Sequence, residues 1–250
     1  MLRRILFLLL VLAFSMPGLE SWALPKSLIM TTELVSKEGG RNIKANAKIW
    51  YSNMKFRTEV ESNMAMTHNS SPVQVNNRAT VIMDLNQKVG YMLDDRNKTA
   101  IRIDSAQFNQ MTGGAAQKGA NAQLFNDPNL LSDPAKLRAE IKSQGGKQIG
   151  TASILGHSCS IWEISKKGNI PAGQGKTSTE TVKVKVWLAE DLVLPLKVDV
   201  STDKRGQVAV MQARSLEVNI PIKASLFALP GGYRVTDLAD MFKTQSRTNR

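Results

Sequence analysis

Cysteine and histidine are scarce in this chain of 250 residues, which has one cysteine, Cys159, and two histidines, His68 and His157. A single cysteine excludes an intramolecular disulfide framework and a zinc site built from several cysteines. Two histidines argue against a multi-histidine metal or catalytic centre. We therefore expect no metal and no cofactor.

Long apolar runs are also scarce. The one uninterrupted run, Ile5–Phe14, has ten residues, whereas a membrane-spanning helix needs about 20. Arg3 and Arg4 precede the run, and the small residues Ser21 and Ala23 follow it at the −3 and −1 positions of a cleavage site. This pattern predicts a signal peptide over residues 1–23, cleaved after Ala23, and a periplasmic protein. An uncleaved anchor is the alternative.

Acidic residues are outnumbered, with 21 Asp and Glu against 33 Lys and Arg, so the formal charge is +12. Such an excess favours anionic partners. Export makes nucleic acid unsuitable as that partner. An anionic membrane surface or an envelope protein fits the predicted compartment.

Alternating apolar and polar residues dominate the sequence after Pro25, as in Ile43–Tyr51. This period predicts about eleven antiparallel strands, with a hairpin turn at Ser52–Asn53 and polar loops over 63–77 and 167–178. No alternation of strands with helices is present, which argues against a parallel α/β fold. The fold class is therefore mainly β.

Residues 105–146 interrupt the strand pattern with a segment rich in Gly, Ala and Gln. Asp133 and Pro134 are typical N-cap and N1 residues, and Gly145 and Gly146 are typical of a helix end. We expect a helical, partly flexible insertion that lies over the sheet.

Catalytic motifs fail on their spacing. Gly173–Thr177 contains a Gly-Lys-Thr sequence, but a phosphate-binding loop requires a glycine where Ile170 stands. His157 and Cys159 are two residues apart on a strand, too far apart for a nucleophile and its base. The sequence therefore predicts a protein that is not an enzyme.

Four segments together resemble the lipoprotein-carrier family of the LolA/LolB type. Each segment is a short strand-and-turn pattern, and their order and spacing match over most of 27–235. The segments are Lys48–Arg57, Ile154–Trp162, Val186–Lys197 and Phe227–Tyr233.

The resemblance implies an incomplete, strongly curved antiparallel barrel whose helices plug one face, with acyl chains held between sheet and helices. It implies a single LolA-like half-barrel domain over residues 24–242. A basic tail over 243–250 follows this domain in the sequence. The resemblance also implies that Arg57 latches the sheet to the lid. The long insertion and the tail depart from the family pattern.

The sequence thus predicts a monomeric periplasmic protein that binds or transfers the acyl chains of a lipid or lipoprotein, without chemistry. The alternative is an envelope sensor or protein-interaction module on the same fold. The expected cavity-lining residues share the apolar positions of their strands. They are Ile49, Met54, Phe56, Val81, Met83, Tyr91, Val184, Val186 and Val198.

Overall fold

The computed structural model describes residues 25–38, 41–68, 71–87, 89–104, 134–173, 176–192, 194–238 and 240. The predicted signal peptide, most of the 105–146 insertion and the 243–250 tail lie outside these residues. Within them, no helix combines the length and the apolar character that crossing a membrane requires.

The described residues form twelve strands that belong to one open, curved sheet, so the predicted mainly-β class is confirmed. The strands are β1 (Ser27–Glu38), β2 (Arg41–Ser52), β3 (Lys55–His68), β4 (Ser71–Asp84), β5 (Val89–Asp94), β6 (Thr99–Asp104), β7 (Lys147–Ile154), β8 (His157–Gly173), β9 (Lys176–Ala189), β10 (Pro195–Thr202), β11 (Gly206–Val218) and β12 (Arg234–Asp237).

The sheet consists of two antiparallel meanders joined side by side. The strand order is β12-β6-β5-β4-β3-β2-β1-β11-β10-β9-β8-β7. Strands β1 to β6 form the first meander and β7 to β11 the second. They meet where β1 pairs with β11, from Leu28 opposite Val218 to Ser36 opposite Ala209. We call this ladder the seam.

Two predicted loops are strands in the structure. β3 and β4 continue through most of 63–77, and β8 and β9 continue through most of 167–178. The expectation of polar loops was therefore wrong there. The hydrogen bonds of a ladder come from the backbone, so a long hairpin arm can remain paired where apolar alternation ends.

The first hairpin turn is one residue later than expected. Ser52 pairs with Lys55, and Asn53 and Met54 form the turn with φ values of 50° and 63°. Two consecutive left-handed residues are the geometry of a two-residue type I′ hairpin. Met54 is therefore a turn residue and not the first residue of a strand.

The helix α1 (Pro134–Ser143) ends as the sequence predicts. Gly145 has φ +83°, its amide donates to the Lys142 carbonyl, and the Gly146 amide donates to the Ile141 carbonyl. This pair of bonds is the Schellman arrangement, which satisfies carbonyls at a helix end. The predicted N-cap, Asp133, lies outside the described residues.

After β11 the chain crosses back to the first meander. A 3₁₀ turn at Ala224–Phe227 contacts β3 and β4, and β12 then pairs in parallel with β6. We call residues 219–237 the C-terminal strap. Its strand is the twelfth, which the sequence pattern did not reveal because only four residues take part.

Candidate functional site

One face of the sheet carries the apolar side chains. Side chains alternate between faces along each strand, so register decides which residues are neighbours. Leu34 is opposite Met211 and Ala45, and Met211 is opposite Val198. The same row continues from Val198 to Val186 and Trp162. We call this side the apolar face and the other side the charged face.

A row of small side chains crosses the middle of the apolar face. Thr32 is paired with Ala213 on one side and Ala47 on the other, and Ala47 is opposite Val60, which is opposite Ala79. All but Ala79 are buried. The row spans five adjacent strands, or about 19 Å at the usual strand spacing. We call it the groove.

Larger side chains border the groove along one side and along part of the other. The first border row contains Leu216, Met30, Ile49, Thr58, Val81 and Met92, all large and apolar except Thr58. On the other side Leu34 and Met211 are large, whereas β2 and β3 contribute the small residues Ala45 and Ser62. Three of these residues are methionines, whose unbranched and polarisable side chains adapt to irregular apolar neighbours.

Two buried hydroxyls lie beside the groove on β3. Thr58 and Ser62 flank Val60 on the same face, and each residue is 3% exposed. Within the described part of the chain, neither side-chain oxygen has a hydrogen-bond partner. An unpaired buried hydroxyl costs about 1–3 kcal/mol, so a hydrogen-bond partner brought to either oxygen would remove that cost.

Helix α1 is placed over β8 on the apolar face. Its Ile141 is 5% exposed and belongs to the largest core cluster, together with Trp162 and Ile164 of β8. The Lys166 ammonium donates to the Gln144 side-chain oxygen at 2.5 Å, just after the helix. The sequence pattern did not predict these contacts, because alternation along β8 does not indicate which residues face a helix.

Seven of the nine expected cavity residues lie on the apolar face. Phe56, Val81 and Met83 belong to the largest cluster, and Ile49 packs against it. The remaining three are part of the second cluster or pack against it. They are Val184, Val186 and Val198.

The other two expected residues lie elsewhere. Tyr91 is opposite Ile82 and packs in a third cluster with Leu93 and Ala100, on the charged face. The β5 residue opposite Val81 is Met92, so its neighbour Tyr91 points to the other face of the sheet. Met54 occupies the hairpin turn described above.

Arg57 holds the C-terminal strap and faces away from α1. Its Nη1 donates to the Leu226 carbonyl at 3.1 Å, and its Nε and Nη2 donate to Glu59 at 2.9 and 2.7 Å. Phe56 and Thr58 are its strand neighbours and face the apolar side, so Arg57 must face the other. Arg57 therefore fixes the 3₁₀ turn to the charged face. Its role as a lid latch remains a prediction, because most of the expected lid lies outside the described residues.

Several of the cations that contribute to the positive net charge have local partners. Lys55 pairs with Asp84 at 3.0 Å, and Lys185 with Glu163 at 3.6 Å. Two more are placed over tryptophan rings in cation–π geometry. They are Lys48, 4.9 Å from the Trp50 centroid, and Lys197, 4.6 Å from the Trp187 centroid.

A histidine–carboxylate pair links two neighbouring turns. His157 Nδ1 lies 2.7 Å from Asp191 Oδ2. Cys159 is fully buried, burial raises the pKa of its thiol, and the thiol donates to the His157 carbonyl. A buried thiol with a raised pKa is a poor nucleophile. The His157–Asp191 pair was not predicted from the sequence, and it arises because the β8–β9 pairing brings these two turns together.

Comparisons with known proteins gave structural similarities only: no family model and no curated protein matches the chain. An uncharacterised conserved protein from Thermus thermophilus has a TM-score of 0.46 at 10% identity, over 86% of this chain and 91% of that one. The MucA/MucB complex of Pseudomonas aeruginosa gives 0.42 at 14% identity, over 92% of this chain and 62% of the matched one. The Mycobacterium tuberculosis lipoprotein LppX gives 0.33 at 14% identity, over 80% and 89%.

All three of these solved structures have TM-scores below 0.5. At such scores they assign no residue role and no activity. The MucB chain is also longer than the region that this chain covers.

Proposed function

We infer that the protein is an exported, periplasmic binding protein that holds acyl chains of a lipid or lipoprotein in the groove of the apolar face. The observation that carries this proposal is the row of small side chains from Ala213 to Ala79, bordered along one side by larger and adaptable ones. Its length of about 19 Å is comparable with that of an extended fatty acyl chain. Each methylene that leaves water contributes about 0.8 kcal/mol to binding.

The two unpaired hydroxyls favour an ester-linked ligand. Thr58 and Ser62 can each donate a hydrogen bond to a carbonyl oxygen, the group that joins an acyl chain to its head group. A ligand that satisfies either hydroxyl removes the cost of leaving it unpaired. Binding then needs no covalent step, in agreement with the buried, unreactive Cys159.

Filling the groove tests the proposal. Ala47→Phe places a ring in the middle of the row, so uptake of a fluorescent fatty acyl probe should fall at least tenfold. The matched control is Asn46→Phe, which places the same ring on the exposed charged face of the same strand. Probe uptake by Ala47→Phe equal to that of the control would contradict the groove assignment.

Because overpacking can destabilise a protein by about 1–3 kcal/mol, a milder variant accompanies Ala47→Phe. Val60→Leu adds one methylene at the next position of the groove, and the urea midpoint of each variant reports folding. A folded Val60→Leu protein should bind long-chain probes more weakly than the original protein. Phe56 and Met83 are less suitable positions, because both are buried in the largest cluster.

Removing the hydroxyls tests the ester preference. Thr58→Val and Ser62→Ala should weaken binding of an ester-linked lipid and leave an ether-linked analogue unaffected, since the ether has no carbonyl. Equal losses for the two lipids would show that the hydroxyls do not contact the ligand. Native mass spectrometry of protein from an envelope fraction would then identify what the groove carries, and the absence of any lipid would contradict carriage.

A further inference from the structure

Strand β7 is the free edge of the sheet. It has eight residues and, within the described part of the chain, pairs with β8 alone. At the opposite edge, the C-terminal strap adds β12 alongside β6. The two edges therefore differ: the structure supplies an extra strand to one edge and leaves the other without one.

The register shows which backbone groups of β7 point outward. The Ser158 carbonyl accepts a bond from the Glu190 amide at 2.9 Å, so Ser158 directs its backbone groups away from β7. Ser153 is opposite Ser158. In an antiparallel ladder the backbone N–H and C=O of Ser153 must then point away from β8, towards the unpaired side of β7. The backbone groups of Thr151, two residues earlier on the same strand, point the same way.

The free edge is also apolar at both ends. Exposed large hydrophobic residues number three among the described residues, and two of them are Ile149, at 49%, and Leu155, at 43%. Proteins usually protect such an edge with proline or several charges. β7 contains no proline, and its one charged residue is Lys147.

We propose that β7 pairs antiparallel with β7 of a second copy of this chain across a two-fold axis, which joins two sheets edge to edge. The outward backbone N–H and C=O of Thr151 form hydrogen bonds with those of Ser153 in the second copy. By symmetry, Ser153 of the first copy bonds Thr151 of the second in the same way. This register places Ala152 on the axis. It also brings Ile149, in the β-bulge between Gln148 and Gly150, towards the end of β7 in the second copy, where the exposed Leu155 lies in the turn that follows the strand.

The distribution of charge along the edge favours a second copy of this chain, and not a strand of another protein, as the partner of β7. Near one end of the edge Lys142 and Lys147 are exposed, with Glu163 opposite Lys147. Near the other end Glu190 and Asp191 are exposed in the turn after β9, and Asp191 lies 2.7 Å from His157. A two-fold antiparallel arrangement brings the end with the exposed lysines of each copy beside the end with the exposed carboxylates of the other, which is the self-complementarity that such an interface requires. The net charge of +12 opposes association over longer distances. The dimer is therefore concentration-dependent, and it departs from the monomer expected from the sequence.

A cysteine on the axis provides the sharpest test. Residues of a non-hydrogen-bonded antiparallel pair have Cα atoms about 4.5 Å apart, within the range that a disulfide spans. Ala152→Cys should form a disulfide-linked dimer under mild oxidation. The unmodified protein, whose Cys159 is buried, should not. Ser158→Cys serves as the positional control, because Ser158 lies on β8 and not on the edge strand. A failure of Ala152→Cys to crosslink at concentrations where the protein dimerises would overturn the register.

Removing the outward amides tests the pairing itself. In sedimentation across a concentration series, Thr151→Pro and Ser153→Pro should shift the protein to monomer, because each removes an outward donor and leaves the β8 ladder intact. Thr151→Ser keeps the amide and should still dimerise. A protein that is monomeric at every concentration, or a dimer that both proline variants retain, would overturn the proposal. Acyl probe uptake should be unchanged in these variants, so the outcome is separate from that of the groove.

Discussion

Gly146 allows the close contact by which helix α1 packs against the sheet. A Cβ at this position would lie 2.5 Å from both the Cγ2 and the carbonyl oxygen of Ile141. Ile141 is the helix residue that enters the largest cluster. Any side chain at 146 therefore displaces the backbone that holds Ile141 in place.

Gly146→Ala should lower the free energy of unfolding by about 1–3 kcal/mol, the usual cost of overpacking, and should increase hydrogen exchange in α1. The control is Gly231→Ala, where an added Cβ meets nothing within 4 Å. Urea unfolding of the two variants measures the difference. Equal stabilities would mean that the contact between α1 and the sheet contributes little.

Asp84 gives the protein a specific response to acid. Burial by itself would raise the pKa of this carboxyl, but the Gln87 amide and the Lys55 ammonium outweigh burial and hold the pKa below its ordinary value. A carboxyl with a lowered folded-state pKa stabilises the protein above its unfolded-state pKa, about 3.9, and loses that contribution as pH falls through the folded-state value.

Asp84→Asn should therefore be less stable than the original protein at pH 7, and the two unfolding free energies should converge below about pH 4. Denaturant titrations across this pH range provide the measurement. Glu61→Gln is the control, since Glu61 is largely exposed and lies 3.9 Å from Arg78; exposed pairs of this kind contribute about 0–1 kcal/mol. A constant difference between Asp84→Asn and the original protein at all pH values would refute the assignment.

Among the elements, the C-terminal strap depends on contacts of high sequence separation. Arg57 bonds the Leu226 carbonyl, Leu229 and Tyr233 pack on the third cluster, and Lys98 is placed over the Tyr233 ring at 5.1 Å. The Tyr233 hydroxyl also donates to Asp95. The strap is thus attached to the charged face at several separate points.

Arg57→Ala should loosen the strap around Leu226, with a local cost of about 1–3 kcal/mol because a carbonyl loses a charged donor. Hydrogen exchange should increase in residues 224–237 and remain unchanged in α1. Arg78→Ala removes a second partner of Glu59 without touching the strap, so it is the matched control. Increased exchange in α1 in place of the strap would support the role of lid latch.

Alternation along the sequence predicted most of the elements but not all of their neighbours. The period-2 pattern correctly placed Phe56, Val81 and Met83 on one face, because the face of a strand residue depends on parity alone. Tyr91 was misassigned, since alternation within β5 does not state which of its two faces meets Val81. That choice depends on cross-strand register, which turns such as Asn53–Met54 set.

The groove itself could not be predicted from any single strand. Ala213, Thr32 and Ala47 are small residues on three different strands, and they become one row only through the seam, where residues nearly 190 positions apart are paired. A bulge between Thr31 and Thr32 determines which β11 residue enters that row. Sequence spacing carries no signal for such a contact.

At the scale of the whole molecule, the seam couples two meanders that are otherwise local structures. Every other antiparallel ladder joins strands that are consecutive in the chain among the described residues. Leu34 lies at the seam, 7% exposed, in a cluster that draws Ala45 and Val60 from the first meander and Val198 and Met211 from the second. The packing that surrounds this one side chain therefore spans both halves.

Leu34→Ala should destabilise the protein by about 2–5 kcal/mol, the range for deleting a buried leucine side chain. Leu93→Ala is the matched control: Leu93 is also buried, but its cluster partners Ile82 and Ala100 belong to the first meander. Both variants should lower the unfolding midpoint. The Leu34 variant should also unfold over a broader transition, with hydrogen exchange increased along both β1 and β11, because the two meanders lose their shared packing. If Leu93→Ala broadens the unfolding transition as much as Leu34→Ala does, the packing across the seam contributes no more to cooperative unfolding than the packing within the first meander.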